Sequence, residues 1–111
     1  MLDWNGYREQ LGGAMGEIAQ LNPDLMKGHD ILAASATAAR ALDAKTRELI
    51  AIAVAVTTRC DGCIAFHVKG AKDAGASKEE IAEALTVAVA LNAGAALVYS
   101  ARALDALKSS E

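Results

Sequence analysis

Residues Ala44–Arg59 run for sixteen positions without a glycine or a proline, and the fold class turns on how they are read. Within them Ile50, Ile52, Val54 and Val56 alternate with alanines, which is the period of a strand. The stretch is longer than a usual strand, and alanine between the β-branched residues leaves both faces apolar, as a central buried helix requires. We therefore read a helix over 44–58, with Asp43 as its N-cap. Alanine, which supplies roughly a quarter of the chain, loses no side-chain entropy in a helix and lets backbones pack closely. The expected class is all-α, one compact domain over 1–111.

The other segments give a count of about six helices. Residues 2–21 read as a weak helix, because Gly6, Gly12, Gly13 and Gly16 each cost about 1 kcal/mol relative to alanine in a helix interior. These glycines lack the preceding strand and the spacing of a nucleotide-binding loop, and are expected to permit close helix contact or to mark breaks. Asn22-Pro23 is an N-cap and N1 pair opening a short helix to about Gly28, and another stretch follows over 30–42. Asp61-Gly62 is either a turn or the first turn of a helix that ends near Gly75 as a C′ glycine. Ser77-Lys78-Glu79-Glu80 is a capping box that starts a helix to Leu91. Asn92 and Gly94 are expected to interrupt it before a last helix over 95–107.

With 14 acidic and 11 basic residues the net charge is −3, and no Lys/Arg cluster is present. That argues against nucleic acid and against an anionic membrane surface. Residues 1–20 show no basic start followed by an apolar stretch. The longest unbroken apolar run, Leu49–Val56, is eight residues, short of a membrane span. Two cysteines three apart are no scaffold for a secreted mini-protein. The expectation is a soluble cytoplasmic chain. Hydrophobic residues at 53% in so short a chain also suggest burial against other subunits.

The strongest local feature is Cys60-Asp61-Gly62-Cys63-Ile64-Ala65-Phe66-His67. On a helix, Cys60 and Cys63 are i and i+3 while Cys63 and His67 are i and i+4, so all three share a face. Cys60 at the helix start meets unpaired N–H groups and the positive end of the dipole, which favours its thiolate. His67, one turn beyond Cys63, can hold or pass a proton. Glu48 lies near the start of the preceding helix and, if the two pack antiparallel, comes near His67. There it can orient the imidazole or relay a proton, or act only as a first-turn carboxylate. The residues leave three readings open: dithiol–disulfide redox chemistry, a zinc site completed by His67 and Glu48, and inert buried cysteines. Against zinc, there is no second cysteine pair, and three ligands on one helical face surround a tetrahedral ion poorly. Of the redox reactions, reduction of a hydroperoxide fits best, and without a nicotinamide or flavin motif it needs an external dithiol.

The pattern Glu48, eleven residues, Cys60-x-x-Cys63, three residues, His67 resembles the carboxymuconolactone decarboxylase superfamily, in particular its alkylhydroperoxidase D branch. Gly-Ala-Ser-Lys-Glu-Glu-Ile-Ala-Glu-Ala downstream is similar to a habitual family segment. The resemblance is close over about 42–97, the redox core, and loose over the first forty residues. It implies an all-helical chain that forms homo-trimers or homo-hexamers. It also implies that Cys63 reacts with peroxide, Cys60 resolves it and meets the reductant, and Glu48 and His67 relay protons. The implied activity is a cofactor-free, metal-free thiol peroxidase or disulfide oxidoreductase recharged by a dithiol such as a lipoyl-bearing protein. Decarboxylases of the superfamily lack the cysteine pair. The chain departs from the pattern at Gly62, where such members often carry a second relay histidine. That departure keeps an alternative open: a structural or partner-binding helical oligomer with a vestigial thiol pair.

Other residues read more plainly. His29 lies at a helix junction, outside the thiol cluster, and reads as a capping or surface histidine, with a catalytic role as the lesser reading. Trp4 and Tyr99 are expected in the core or at a subunit interface, with a pocket wall as the lesser reading. Phe66 either walls the thiol pocket or packs, and Met15 and Met26 read as gap fillers. Lys69, Lys72 and Lys78 read as a solvated face. Arg59, beside Cys60, either favours a thiolate or partners a helix C-terminus.

Overall fold

A computed structural model describes residues 1–38 and 40–110. Its elements are α1 (Trp4–Leu21), α2 (Pro23–Ala38), α3 (Ala44–Thr58), α4 (Asp61–Asp73) and α5 (Lys78–Ser109). Each start has a local cause. Asp3 and Asp43 cap α1 and α3 by accepting from Gly6 N and Thr46 N, and the Asn22 side chain accepts from Leu25 N ahead of Pro23. Ser77 and Glu80 form the reciprocal capping box of α5. Gly75, at φ +86°, follows the C-cap Ala74 of α4. Asp61-Gly62 is the first turn of α4 rather than a separate turn.

Five helices, fewer than the six or so expected, are present among the described residues, because the breaks read near Gly28 and near Asn92–Gly94 do not occur. Gly28 lies inside α2, and Asn92 and Gly94 lie inside α5. One interior glycine costs about 1 kcal/mol, whereas ending a helix there strands up to four carbonyls and four N–H groups. Asn92 satisfies its amide within the helix, donating to the Ala88 carbonyl at 2.7 Å. The expected helix over 30–42 ends at Ala38 among the described residues, with Ala39 outside them. None of the glycines of α1 breaks it; nothing lies within 4 Å of a β-carbon placed at Gly12, Gly13 or Gly16, whereas at Gly6 that space is taken by the capping Asp3 carboxylate.

The helices pack in the order α2, α1, α4, α3, α5, with α3 on both α4 and α5. The fully buried core is Ile52 and Ala55 of α3, Ala65 and Ala71 of α4, and Ala88 of α5. Alanine at these crossings lets the axes approach closely. α5 presents Ile81, Ala84, Leu85 and Ala88 to α3, at the i, i+3, i+4, i+7 spacing of one helical face.

The chain is open rather than compact. Its radius of gyration is 18.2 Å, against about 13 Å for a compact domain of this length. It exposes 8490 Å², where a compact monomer of this mass exposes about 5,800 Å². Much of the excess comes from α5, which is about 48 Å long by its rise per residue and overhangs α3, so every residue from Val89 to Ser110 is exposed. Leu97 is 76% exposed, and Tyr99, 68% exposed, lies under the Arg102 guanidinium rather than in a core. Ile50 and Val54 leave the second apolar face of α3 open as well. Among the described residues α5 alone is long and apolar enough to cross a membrane by length and composition. A search for unbroken apolar runs misses this, because Thr86, Asn92 and Ser100 punctuate the helix.

Lys45 Nζ sits 2.9 Å from Glu80 Oε2 and ties the start of α3 to the start of α5. The hydrogen bond from Lys45 holds the Glu80 carboxyl below the usual range, and the hydrogen bond from Thr46 does the same for Asp43. Groups depressed in this way stabilise the fold above their unfolded values, and the effect is lost as pH falls through the folded ones. Stability is therefore expected to be level from pH 7 to about 5 and to fall below about pH 4. Urea midpoints across this range should fall less steeply in Glu80→Gln than in the parent; equal slopes contradict the assignment.

Candidate redox site

Arg59 ends α3 in the left-handed conformation at φ 55°, and Cys60 then caps α4. The Cys60 sulfur accepts from Cys63 N at 3.1 Å and is bonded to the Cys63 sulfur, with the α-carbons 5.2 Å apart. Both sulfurs therefore sit at the N-terminal end of α4, where N–H groups lack helical partners and the dipole is positive. That field favours a thiolate once the bond opens.

His67 follows one turn after Cys63. Its Nδ1 lies 2.7 Å from Glu48 Oε2. A carboxylate only accepts, so Nδ1 carries the hydrogen and donates it, leaving Nε2 as the basic nitrogen of a neutral ring. The pair spans two helices: Glu48 is in the second turn of α3, and α3 and α4 run antiparallel across the short connection at Arg59-Cys60. Side-chain exposure of 42% for His67 and 28% for Glu48 leaves the pair open to solvent on one side.

The disulfide, Phe66 and His67 line a cavity of about 640 Å³ whose opposite wall comes from α1 and α2. Leu11 and Met15 of α1 and Met26 of α2 give it an apolar lining. The two methionines thus face the thiol cavity instead of filling gaps in a core. His29 lines the same cavity, contrary to the expectation that it stands apart from the cysteines. The 30-residue sequence distance hides this, because α2 returns to the site only by folding back on α1. Tyr7 also contributes to the wall, while Trp4 packs edge-on against it with ring centres 6.2 Å apart. Among the described residues no group of three or more His, Cys, Asp or Glu side chains is arranged to hold a metal ion.

Two glycines shape the site in ways a sequence pattern does not announce. A β-carbon at Gly62 meets Leu11 Cδ2 at 2.6 Å, so α1 occupies the space a larger side chain needs there. A β-carbon at Gly70 meets the Glu48 carboxyl atoms at 2.8–2.9 Å. Gly70 is three residues beyond His67 on the same helical face, and its bare backbone lets the carboxylate reach the imidazole. The signal was present in the sequence as a glycine inside a helix at a cost of about 1 kcal/mol. Gly70→Ala is expected to leave thermal stability level or higher, since alanine is the better helix former, yet to displace Glu48. The hydrogen-bonded Nδ1 proton of His67, followed by NMR, should disappear in this variant as it does in Glu48→Gln. Its persistence in Gly70→Ala contradicts the role given to Gly70.

Comparison with known proteins identifies the family and the fold. The chain is 50% identical over 104 residues to an uncharacterised protein of Haemophilus influenzae, covering 94% of this chain and 92% of that one. It is 42% identical to uncharacterised protein 4 of the cox locus of Paracoccus denitrificans, over 85% of each. A crystal structure of a carboxymuconolactone decarboxylase family protein from Legionella pneumophila, in its apo form, superposes with a TM-score of 0.76 at 38% identity, covering 96% of this chain and 95% of that one. Residues 23–106 match the family itself, and the chain belongs to the carboxymuconolactone decarboxylase family.

Proposed function

We propose that the chain is a cofactor-free thiol peroxidase that reduces organic hydroperoxides through Cys60 and Cys63. The observation that carries this reading is the joint opening of the disulfide and the Glu48-held imidazole onto one apolar-walled cavity. The family includes both decarboxylases and peroxidases, and the redox-competent cysteine pair favours the second.

In the reduced protein His67 Nε2 takes the proton of Cys63, and Glu48 stabilises the imidazolium so formed. The Cys63 thiolate attacks the terminal peroxide oxygen, the O–O bond breaks, and the alkoxide leaves as an alcohol after protonation. Cys63 is then a sulfenic acid. Cys60, three residues away, displaces water from it and restores the disulfide. An external dithiol reopens the bond through a mixed disulfide on Cys60; a lipoyl-bearing protein is the proposed donor, in the cytoplasm.

Assembly into a homo-trimer or homo-hexamer is part of the proposal. The roughly 2,700 Å² by which the chain exceeds a compact monomer is the scale of an obligate interface. Its exposed apolar residues cluster on α5 and the outer face of α3. Because α5 already spends one face on α3, other copies rather than lipid are the proposed cover. Light scattering without detergent should give three or six times the 11.4 kDa chain; a detergent requirement supports a membrane span instead.

The enzymatic reading is tested by mixing reduced protein with cumene hydroperoxide and titrating thiols. Two thiols per chain should disappear with formation of the Cys60–Cys63 disulfide. Dihydrolipoamide should restore them, and Cys63→Ser should lose the reaction. Retention of both thiols under excess peroxide contradicts the proposal and leaves the helical oligomer with a vestigial thiol pair.

A further inference from the structure

The chain has two histidines, and both line the cavity that holds the disulfide. Each is paired with a carboxylate. His67 Nδ1 is 2.7 Å from Glu48 on the α3–α4 side, and His29 Nδ1 is 3.4 Å from Asp30 Oδ1 on α2. Only the first pair has a task in the scheme above, where the proton for the departing alkoxide has no assigned donor. We infer that His29 is that donor: a second catalytic imidazole, delivered by α2 from the wall facing the cysteines. The inference rests on the peroxidase reading and assigns the half of its proton traffic that reading leaves open.

Geometry separates the two roles. Attack on a peroxide is a displacement in line, so sulfur, accepted oxygen and leaving oxygen lie along one axis. His67 shares α4 with Cys63, one turn away, on the attacking side. The leaving oxygen points away from α4, toward the wall built by α1 and α2. A donor on that wall meets the oxygen where its charge develops, which a group on the attacking side does not.

The other titratable groups facing the cavity are Tyr7 on α1, Asp30 on α2, Asp61 and His67 on α4 and, in the reduced protein, the thiols of Cys60 and Cys63; Cys63 is the attacking thiolate, and Cys60 lies beside it on the attacking side. An ionised carboxylate has no proton to give, and a phenol holds its proton far more tightly than an imidazolium. Imidazole is the side chain that gains and loses a proton near neutral pH. Position 62 is a glycine and carries no side-chain donor, and the Leu11 side chain lies where its β-carbon would point.

The step balances. Cys63 thiolate and ROOH, with the proton of the His29 imidazolium, give the sulfenic acid and ROH. His29 is left neutral and is reprotonated from solvent. Condensation with Cys60 then releases water, so two thiols and one hydroperoxide yield a disulfide, an alcohol and water.

Leaving-group dependence tests this. Cumene hydroperoxide expels an alkoxide that needs a proton, whereas peracetic acid expels acetate, which does not. Rates of thiol loss should show His29→Gln slowed about 10²-fold more on cumene hydroperoxide than on peracetic acid, the scale of one general acid. His29 is 58% exposed, so the variant is expected to fold, as checked by its helical circular dichroism. Tyr7→Phe should leave the ratio between the two substrates as in the parent. Equal slowing of His29→Gln on both substrates, or slowing on neither, overturns the inference while leaving the peroxidase reading intact. A parent protein inert to both substrates overturns the two together.

Discussion

The contact between Glu48 and His67 is the hinge of the structure's chemistry. It crosses from α3 to α4, so it exists only if those helices run antiparallel at the right offset, and that offset is set where Arg59 turns left-handed and Cys60 caps the next helix. The same capping position places Cys60 and Cys63 in the positive field of the α4 N-terminus. One short connection thus fixes the thiols, the imidazole and the carboxylate bonded to it. Gly70 completes the arrangement by leaving the carboxylate a path along α4.

Around this fixed centre the rest of the chain is loosely enclosed. Among the described residues five form the buried core, and four of them are alanines. Area burial at about 25 cal/mol/Å² therefore yields little within one chain. Half of the exposed large apolar side chains among the described residues lie on α5 and on the outer face of α3, where other subunits can cover them. The α1–α2 pair reaches the remainder chiefly through α1 against α4. Its function is local: it closes the cavity and brings His29, Met15 and Met26 to face the sulfurs.

How much of this was legible in the sequence depends on range. Features decided within one or two helical turns were readable: the Asp43 cap, the Ser77–Glu80 box, the Gly75 terminus, and the common face of Cys60, Cys63 and His67. Glu48 was readable because the family spacing and the antiparallel argument agree. Continuity across Gly28, Asn92 and Gly94 was not, since it depends on weighing one interior glycine against the stranded groups of two new helix ends. His29 and Gly70 were also out of reach. Their significance arises from contacts between helices: α2 folding back over the cavity, and a carboxylate from α3 lying against α4. The openness of the chain was foreshadowed by its apolar, alanine-rich composition, although the expectation of a compact domain ran against that signal.

The central claim is that Cys63 sits within a working proton relay and attacks peroxide. Treating reduced Cys60→Ser with one equivalent of cumene hydroperoxide in the presence of dimedone, followed by peptide mass spectrometry, tests it most directly. Without its resolving partner, Cys63 should be trapped as the dimedone adduct of its sulfenic acid. The adduct should be much reduced when Glu48→Gln is added. An unmodified Cys63, or trapping equally fast without Glu48, contradicts the account.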